Sequence, residues 1–307
     1  MGARDSVETD TRVVDAPDVP HETTESPRGR VLDDPERRRE ESADSQQRAD
    51  GHWQSRPFEV DRAELARFDL KRAGLPDMSI DAGAKYIAEH RESRPWLAMT
   101  DRASPEARRI IAAMDAAGGH AHIRHEGWVT EEANRRRVAY REDPAQLDPE
   151  KRELSIDGLR PNDKRHRCAD IATRITDPDA FATAFVRAFE HPKMQKALNM
   201  TFSPTDKPEA ETVPIADLLG PDGYRYCTGW RLKPVDGSMG TAYKQRNAWV
   251  LARADGGKPD PNGPEASPVS TFEGGVVNFI FAGNETERRY EIVTMCPDPP
   301  ENPRRES

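Results

Sequence analysis

Several scarcities narrow this sequence before any motif does. Its 307 residues include three cysteines, Cys168, Cys227 and Cys296. An odd, widely spaced set offers neither a disulfide framework nor a paired-cysteine metal site, so buried thiols are expected. Apolar residues are few, at 35%, while charged residues reach 33%. A chain that polar cannot be packed core along its whole length, so part of it is expected to stay solvated. No stretch approaches the roughly 18 apolar residues of a membrane span, and the apolar run Val276 to Ala282 is interrupted by Asn278. The opening Met-Gly-Ala-Arg-Asp-Ser lacks the apolar segment of a secretory leader. The expectation is a cytoplasmic location in the producing cell, or export by a specialised system that uses no such leader. No glycine-rich phosphate loop follows a strand, because Gly118-Gly119 closes a helical pattern and Gly274-Gly275 has no Gly-Lys-Ser continuation. No internal repeat is present. The net charge of -9 has the wrong sign overall for a nucleic-acid binder, although attraction to phosphate is local and a basic patch can sit on an acidic chain.

What is present falls into four stretches. Residues 1–56 are rich in Asp, Glu, Arg, Ser, Thr and Pro, with few large apolar residues before Trp53. Such a segment cannot offset its ordering entropy and is expected to be a disordered charged tail. Residues 57–117 form a helical segment. Leu65, Phe68 and Leu70 mark one helix that ends at Gly74 and Pro76, and a second is expected around Ala82 to His90. A third starts with Ser104 as cap, Pro105 in the first turn and Glu106 against the dipole, and it closes at Gly118. Residues 118–299 carry the densest chemistry, and residues 300–307 are again expected to be disordered.

Within 118–299, Thr130 opens a helix over Glu131 to Tyr140, and the proline-bearing residues 142–167 predict loop with room for one short helix. Asp177-Pro178 opens another helix, with Phe181, Phe185 and Phe189 as a core-facing stripe before Pro192 interrupts it. Beyond residue 200, short runs read as strands of one antiparallel sheet: Tyr224 to Leu232, Ala248 to Ala252, Val276 to Phe281 and Tyr290 to Cys296. Trp249 is expected in the core of the second. Asp255 to Ser270 is a polar excursion between strands. Helices first and strands afterwards predict an α+β fold.

Three of the eight histidines lie in Gly118-Gly119-His120-Ala121-His122-Ile123-Arg124-His125, and Arg135, Arg136 and Arg137 follow on the next helix. Two chemistries fit, beside the plainer reading of histidines that satisfy loop backbone. One is a zinc-dependent hydrolase using His-x-His-x-x-His. Its weakness is Arg124, where such motifs need an aspartate, since a guanidinium cannot ligate a cation. The other is phosphodiester transfer in RNA, which needs a base for the ribose 2′-hydroxyl, a cation for the charge growing on phosphorus oxygens, and an acid for the leaving oxygen. Histidine serves either proton role near neutral pH, and arginine supplies the fixed positive fork. His125 and Arg136 are the right types. Lys164 and Arg165, in the run to Arg167, would suit RNA backbone if they face the histidines.

These residues resemble the RNase A-like domain at the C-termini of bacterial contact-dependent inhibition and other polymorphic toxins. The likeness runs over about residues 118–299: Gly118-Gly119-His120, then Arg124-His125, a helix arginine at Arg136, an Ala-rich helix from Asp177 to Ala188, and a closing Tyr290-Glu-Ile-Val-Thr-Met-Cys-Pro297. It implies an RNase A-like fold and a cofactor-free endoribonuclease acting as a toxin on RNA, with a protective immunity protein as partner. It implies His125 as general base or acid, His120 as a second proton carrier, Arg136 as the phosphate-stabilising cation and Thr294 as a pocket residue, with Arg124 beside the substrate. Two departures stand out. Cys296 replaces an aromatic residue whose hydroxyl can donate to phosphate, and residues 142–167 and 255–270 are long. A non-catalytic RNA-binding or regulatory protein on the same scaffold is the alternative.

Overall fold

The computed structural model of the chain describes residues 58–118, 121–142, 170–203, 208–254 and 263–300. The tail before residue 57, most of the loop after residue 142, the end after residue 300, and His120, Lys164 and Arg165 lie outside the described residues.

Helices α1 (Arg62–Arg67), α2 (Ile80–His90) and α3 (Pro105–Ala116) come first. Asp61, Ser79 and Ser104 cap them, each side chain accepting from the backbone N–H three residues on. Gly118 ends α3 with a φ of 75°, a left-handed angle that favours glycine. The one-turn helix α4 (Ala121–Arg124) and the Thr130-capped helix α5 (Glu131–Tyr140) follow. Then come strand β1 (Ile171–Ile175), α6 (Pro178–Glu190), α7 (Pro192–Leu198), β2 (Glu211–Pro214) and α8 (Ile215–Leu219). The chain finishes with β3 (Cys227–Leu232), α9 (Met239–Ala254), β4 (Ala266–Pro268), β5 (Val276–Asn284) and β6 (Arg289–Asp298).

The strands build two three-stranded antiparallel sheets, ordered β1-β3-β4 and β2-β5-β6. The expectation of a single sheet after a run of helices is therefore corrected. The molecule mixes helix and sheet, but β1 precedes α6, and α8 and α9 interleave with later strands. The segment Ala248 to Ala252 is also corrected, from strand to the end of α9. Ala242, Arg246 and Val250, one helical turn apart, are all buried, which is the spacing of a helix face rather than of a strand. Trp249 lies on that helix, half-buried and stacked on Tyr140 with ring centroids 4.1 Å apart.

The main core joins the early helices to the second sheet. Leu65, Phe68, Ile110 and Ile111 pack with Phe181, Phe185, Phe189, Val277, Phe279 and Met295. The phenylalanine stripe of α6 is thus a core face, and Phe68 meets Phe185 and Phe189 edge-on at 5.9 and 5.6 Å. A smaller cluster of Val138, Ala172, Leu232 and Ala242 lies between α5, the first sheet and α9.

One buried polar knot ties α2, α3 and α4 together. The Asp115 carboxylate accepts from Trp96 Nε1 at 2.7 Å, Tyr86 Oη at 2.8 Å and Arg94 Nη1 at 2.6 Å. His122 Nε2 sits 2.8 Å from Asp115 Oδ1, the oxygen that also accepts from Trp96. Burial alone would push this carboxyl up, but the His122 hydrogen bond and charge, with the bonds from Arg94 and Trp96, hold it well below the usual carboxylate range. Removing one partner of such a knot leaves the others buried and unpaired. Asp115→Ala is expected to cost about 3–5 kcal/mol of unfolding free energy in urea titrations; a loss under about 1 kcal/mol would show that the knot holds nothing in place.

Candidate functional site

After α4 the chain lies along the outer edge of β1. Thr176 N bonds to Tyr226 just before β3, while Ile175 N points the other way and donates to His125 O at 3.0 Å. The His125 ring completes the docking, with Nδ1 2.9 Å from the Thr173 carbonyl. A carbonyl can only accept, so Nδ1 carries the hydrogen and the basic lone pair of the neutral ring is on Nε2. Glu126 bridges to Ile175 in parallel. At Gly127 a Cβ would stand 2.3 Å from the Thr176 carbonyl oxygen, so glycine is what lets this loop lie flat on the strand.

Helix α5 packs over the same strand. Its buried face presents Asn134, Arg137, Val138 and Ala139. Arg137 Nη1 donates to the Arg124 carbonyl at 3.2 Å, one peptide away from His125. Arg136 is turned elsewhere. Its Nε donates to Glu142 Oε2 at 2.5 Å, its Nη2 reaches the second carboxylate oxygen, and its guanidinium lies 5.7 Å from the Tyr140 ring centre. Arg135 is likewise engaged by Glu132. The guanidinium that the fold brings to the His125 segment is therefore that of Arg137.

Thr294 and Cys296 are on β6. A bulge between Ile280 and Phe281 leaves Val293 without an opposite residue, which changes the phase of the strand. Ile292 pairs with Phe281 on the core side, as Met295 does with Phe279, while Thr294 and Cys296 pair with Ile280 and Asn278 on the other face. β6 packs against both β1 and α4, and Thr294 is buried there, with Cys296 half-buried. Thr294, His125 and Arg137 thus belong to elements that meet around β1, and Arg124 closes α4 beside them. His122 is not shared with this site: its ring is wholly buried and committed to Asp115. Among the described residues no group of three His, Cys, Asp or Glu side chains is placed to hold a metal ion. No helix there is long and apolar enough to cross a membrane.

Two residues at the site, Asn134 and Glu126, had no role assigned from the sequence, and Arg137 stood there only as one of a run of three arginines. With Thr130 as cap, positions 134, 137 and 138 share one helix face, which is the signal that would have separated Arg137 from Arg136. Glu126 is wholly buried. Its Oε2 accepts from Trp128 N at 3.2 Å, and its Oε1 has no hydrogen-bond partner among the described residues.

No family model, curated protein or solved structure matches the chain.

Burial pushes the Glu126 carboxyl up to about 8, against the weaker pull of the Trp128 and Gly127 amides and of the Arg102 and Arg174 charges. Between its ordinary value and about 8 the folded protein holds a proton that the unfolded chain releases, so stability falls as pH rises through that window. Glu126→Gln is expected to remove this slope, worth on the order of 3 kcal/mol from pH 5 to 8. Denaturant titrations at the two pH values check it, and equal slopes in both proteins would refute it.

Proposed function

We propose that this chain is a metal-independent endoribonuclease of the RNase A-like kind, a toxin effector that acts on RNA in a target cell. His125 Nε2 takes the proton from a ribose 2′-hydroxyl. The 2′-oxygen bonds to the adjacent phosphorus as the bond to the 5′-oxygen breaks, and the products are a 2′,3′-cyclic phosphate and a 5′-hydroxyl. Arg137 stabilises the charge growing on the non-bridging oxygens, in the role that the resemblance alone would give to Arg136. His120 is the candidate acid for the leaving oxygen. Thr294 and Cys296 line the pocket, Arg124 flanks it, and Lys164 and Arg165 contact the RNA backbone. An immunity protein belongs to the same reading.

The observation that carries this proposal is the pairing of an oriented imidazole with a buried guanidinium: His125 Nδ1 on the Thr173 carbonyl, and Arg137 on the carbonyl next door. A fixed tautomer with its basic nitrogen set by a backbone bond is what general-base chemistry requires. A second reading, RNA binding without cleavage, is favoured by Cys296, because a thiol donates poorly to phosphate.

Purified protein incubated with RNA in chelator is expected to yield fragments ending in 2′,3′-cyclic phosphate. His125→Ala should slow cleavage at least about 100-fold. Arg137→Ala should cost at least about tenfold more activity than Arg136→Ala, with thermal unfolding confirming that each variant folds. RNA retained without products would favour the binding reading. Equal cleavage by His125→Ala would end the ribonuclease one.

A further inference from the structure

Asn134 is a wholly buried polar residue of α5 whose side chain has no hydrogen-bond partner among the described residues. Its exposure is 0%. Neither Nδ2 nor Oδ1 has a hydrogen-bond partner among the described residues. A buried amide with both functions unmet costs free energy in any fold, and buried polar groups in proteins are almost always satisfied by something. An apolar residue of the same size would pack there at lower cost. Asn134 is therefore a local sacrifice of stability, of the kind that marks a functional position.

Its surroundings say what it is for. One turn along the same face stands Arg137, 7% exposed, whose Nε also lacks a partner among the described residues and whose Nη1 rests on the Arg124 carbonyl beside His125. The face thus holds, out of solvent against the strand that carries the imidazole's carbonyl partner, a guanidinium with one N–H unmet and, one turn away, an unmet donor and acceptor. A phosphate takes the fork. A ribose hydroxyl, which both donates and accepts, takes the amide. We infer that Asn134 contacts the ribose 2′-hydroxyl of the nucleotide whose phosphate sits on Arg137, and so makes the site prefer RNA to DNA. This rests on the ribonuclease reading and deepens it, since the 2′-hydroxyl is both the attacking group and the group that distinguishes the two nucleic acids.

The test uses ligands that cannot be cleaved. A 3′-ribonucleoside monophosphate and its 2′-deoxy analogue are titrated by calorimetry into the full chain and into Asn134→Leu. The wild type is expected to bind the ribose form at least about tenfold more tightly, a difference of about 1.4 kcal/mol. The leucine variant should lose that preference while keeping an equal or higher thermal midpoint. A lowered midpoint would show that the amide is already bonded inside the fold, and would overturn the assignment, as would an undiminished preference in the variant. A readout that needs no folded variant is the Asn134 side-chain N–H resonance of the wild type, which should shift with the ribose form and much less with the deoxy form. No shift with either counts against the contact. Wild-type protein that cuts RNA while the ribose preference survives Asn134→Leu removes this inference alone. Wild-type protein that neither cuts RNA nor binds either nucleotide removes the ribonuclease reading with it.

Discussion

The outer edge of β1 has backbone groups to satisfy, and everything around the candidate site follows from how the chain satisfies them. On one side β1 is hydrogen-bonded to β3. On the other, the Ile175 N–H and the Thr173 carbonyl are both taken by a single residue, His125, the first by its carbonyl and the second by its ring. An open strand edge is costly when buried and hazardous when exposed, so this closure is strongly held. The side effect is an imidazole that cannot turn without exposing a strand carbonyl. The same docking draws Glu126 into the interior and brings the Arg124 carbonyl to where Arg137 can reach it.

Two kinds of buried polarity sit on either side of this loop, and they differ in completeness. At Asp115 both oxygens are supplied, by two side chains each. With its carboxylate fully met, although His122 Nδ1 has no hydrogen-bond partner among the described residues, this cluster fixes one arrangement of α2, α3 and α4 and commits His122 Nε2 to Asp115. At Glu126, Asn134 and Arg137 some atom of each side chain is left without a partner among the described residues. The apolar core between α3, α6 and the second sheet supplies the stability that lets the molecule carry this deficit.

Much of the helical part was legible in the residues. Ser104-Pro105, Thr130 and Asp177-Pro178 signal their helices through capping chemistry that acts within three residues, and all three side chains make the expected bond. The phenylalanine stripe of α6 reads equally well because apolar residues dominate it. Alternation failed where a charge occupies the core. Arg246 is 1% exposed and donates to the Val138 carbonyl, so the buried face of α9 did not look apolar and Ala248 to Ala252 passed for a strand. β1 is five residues long and carries Arg174, whose guanidinium turns to the carbonyls of Gly127 and Val129 and to Glu131. The β6 bulge depends on cross-strand register, which no local pattern encodes. The candidate site was legible as a neighbourhood rather than as a set. A run of three arginines marks the helix, but one position along a helix is about 100° of rotation, and that rotation decides which guanidinium reaches the carbonyl preceding the histidine.

Electrostatics sharpens the choice among those three. Arg135 and Arg136 each face a carboxylate, Glu132 and Glu142, and Arg174 faces Glu131. Their charges are largely spent within the fold, in keeping with a chain whose net charge is -9. Arg137 donates to a neutral carbonyl, and among the described residues no carboxylate pairs with it, although the side chain is buried. A buried cation without a counter-charge is expensive to keep, and no apolar neighbour lowers that cost. An anion arriving at that point would. In a chain of net charge -9, where long-range attraction for anions is weak, such a short-range position on the carbonyl preceding the strand-held His125 is what the proposed reading would draw on for phosphate.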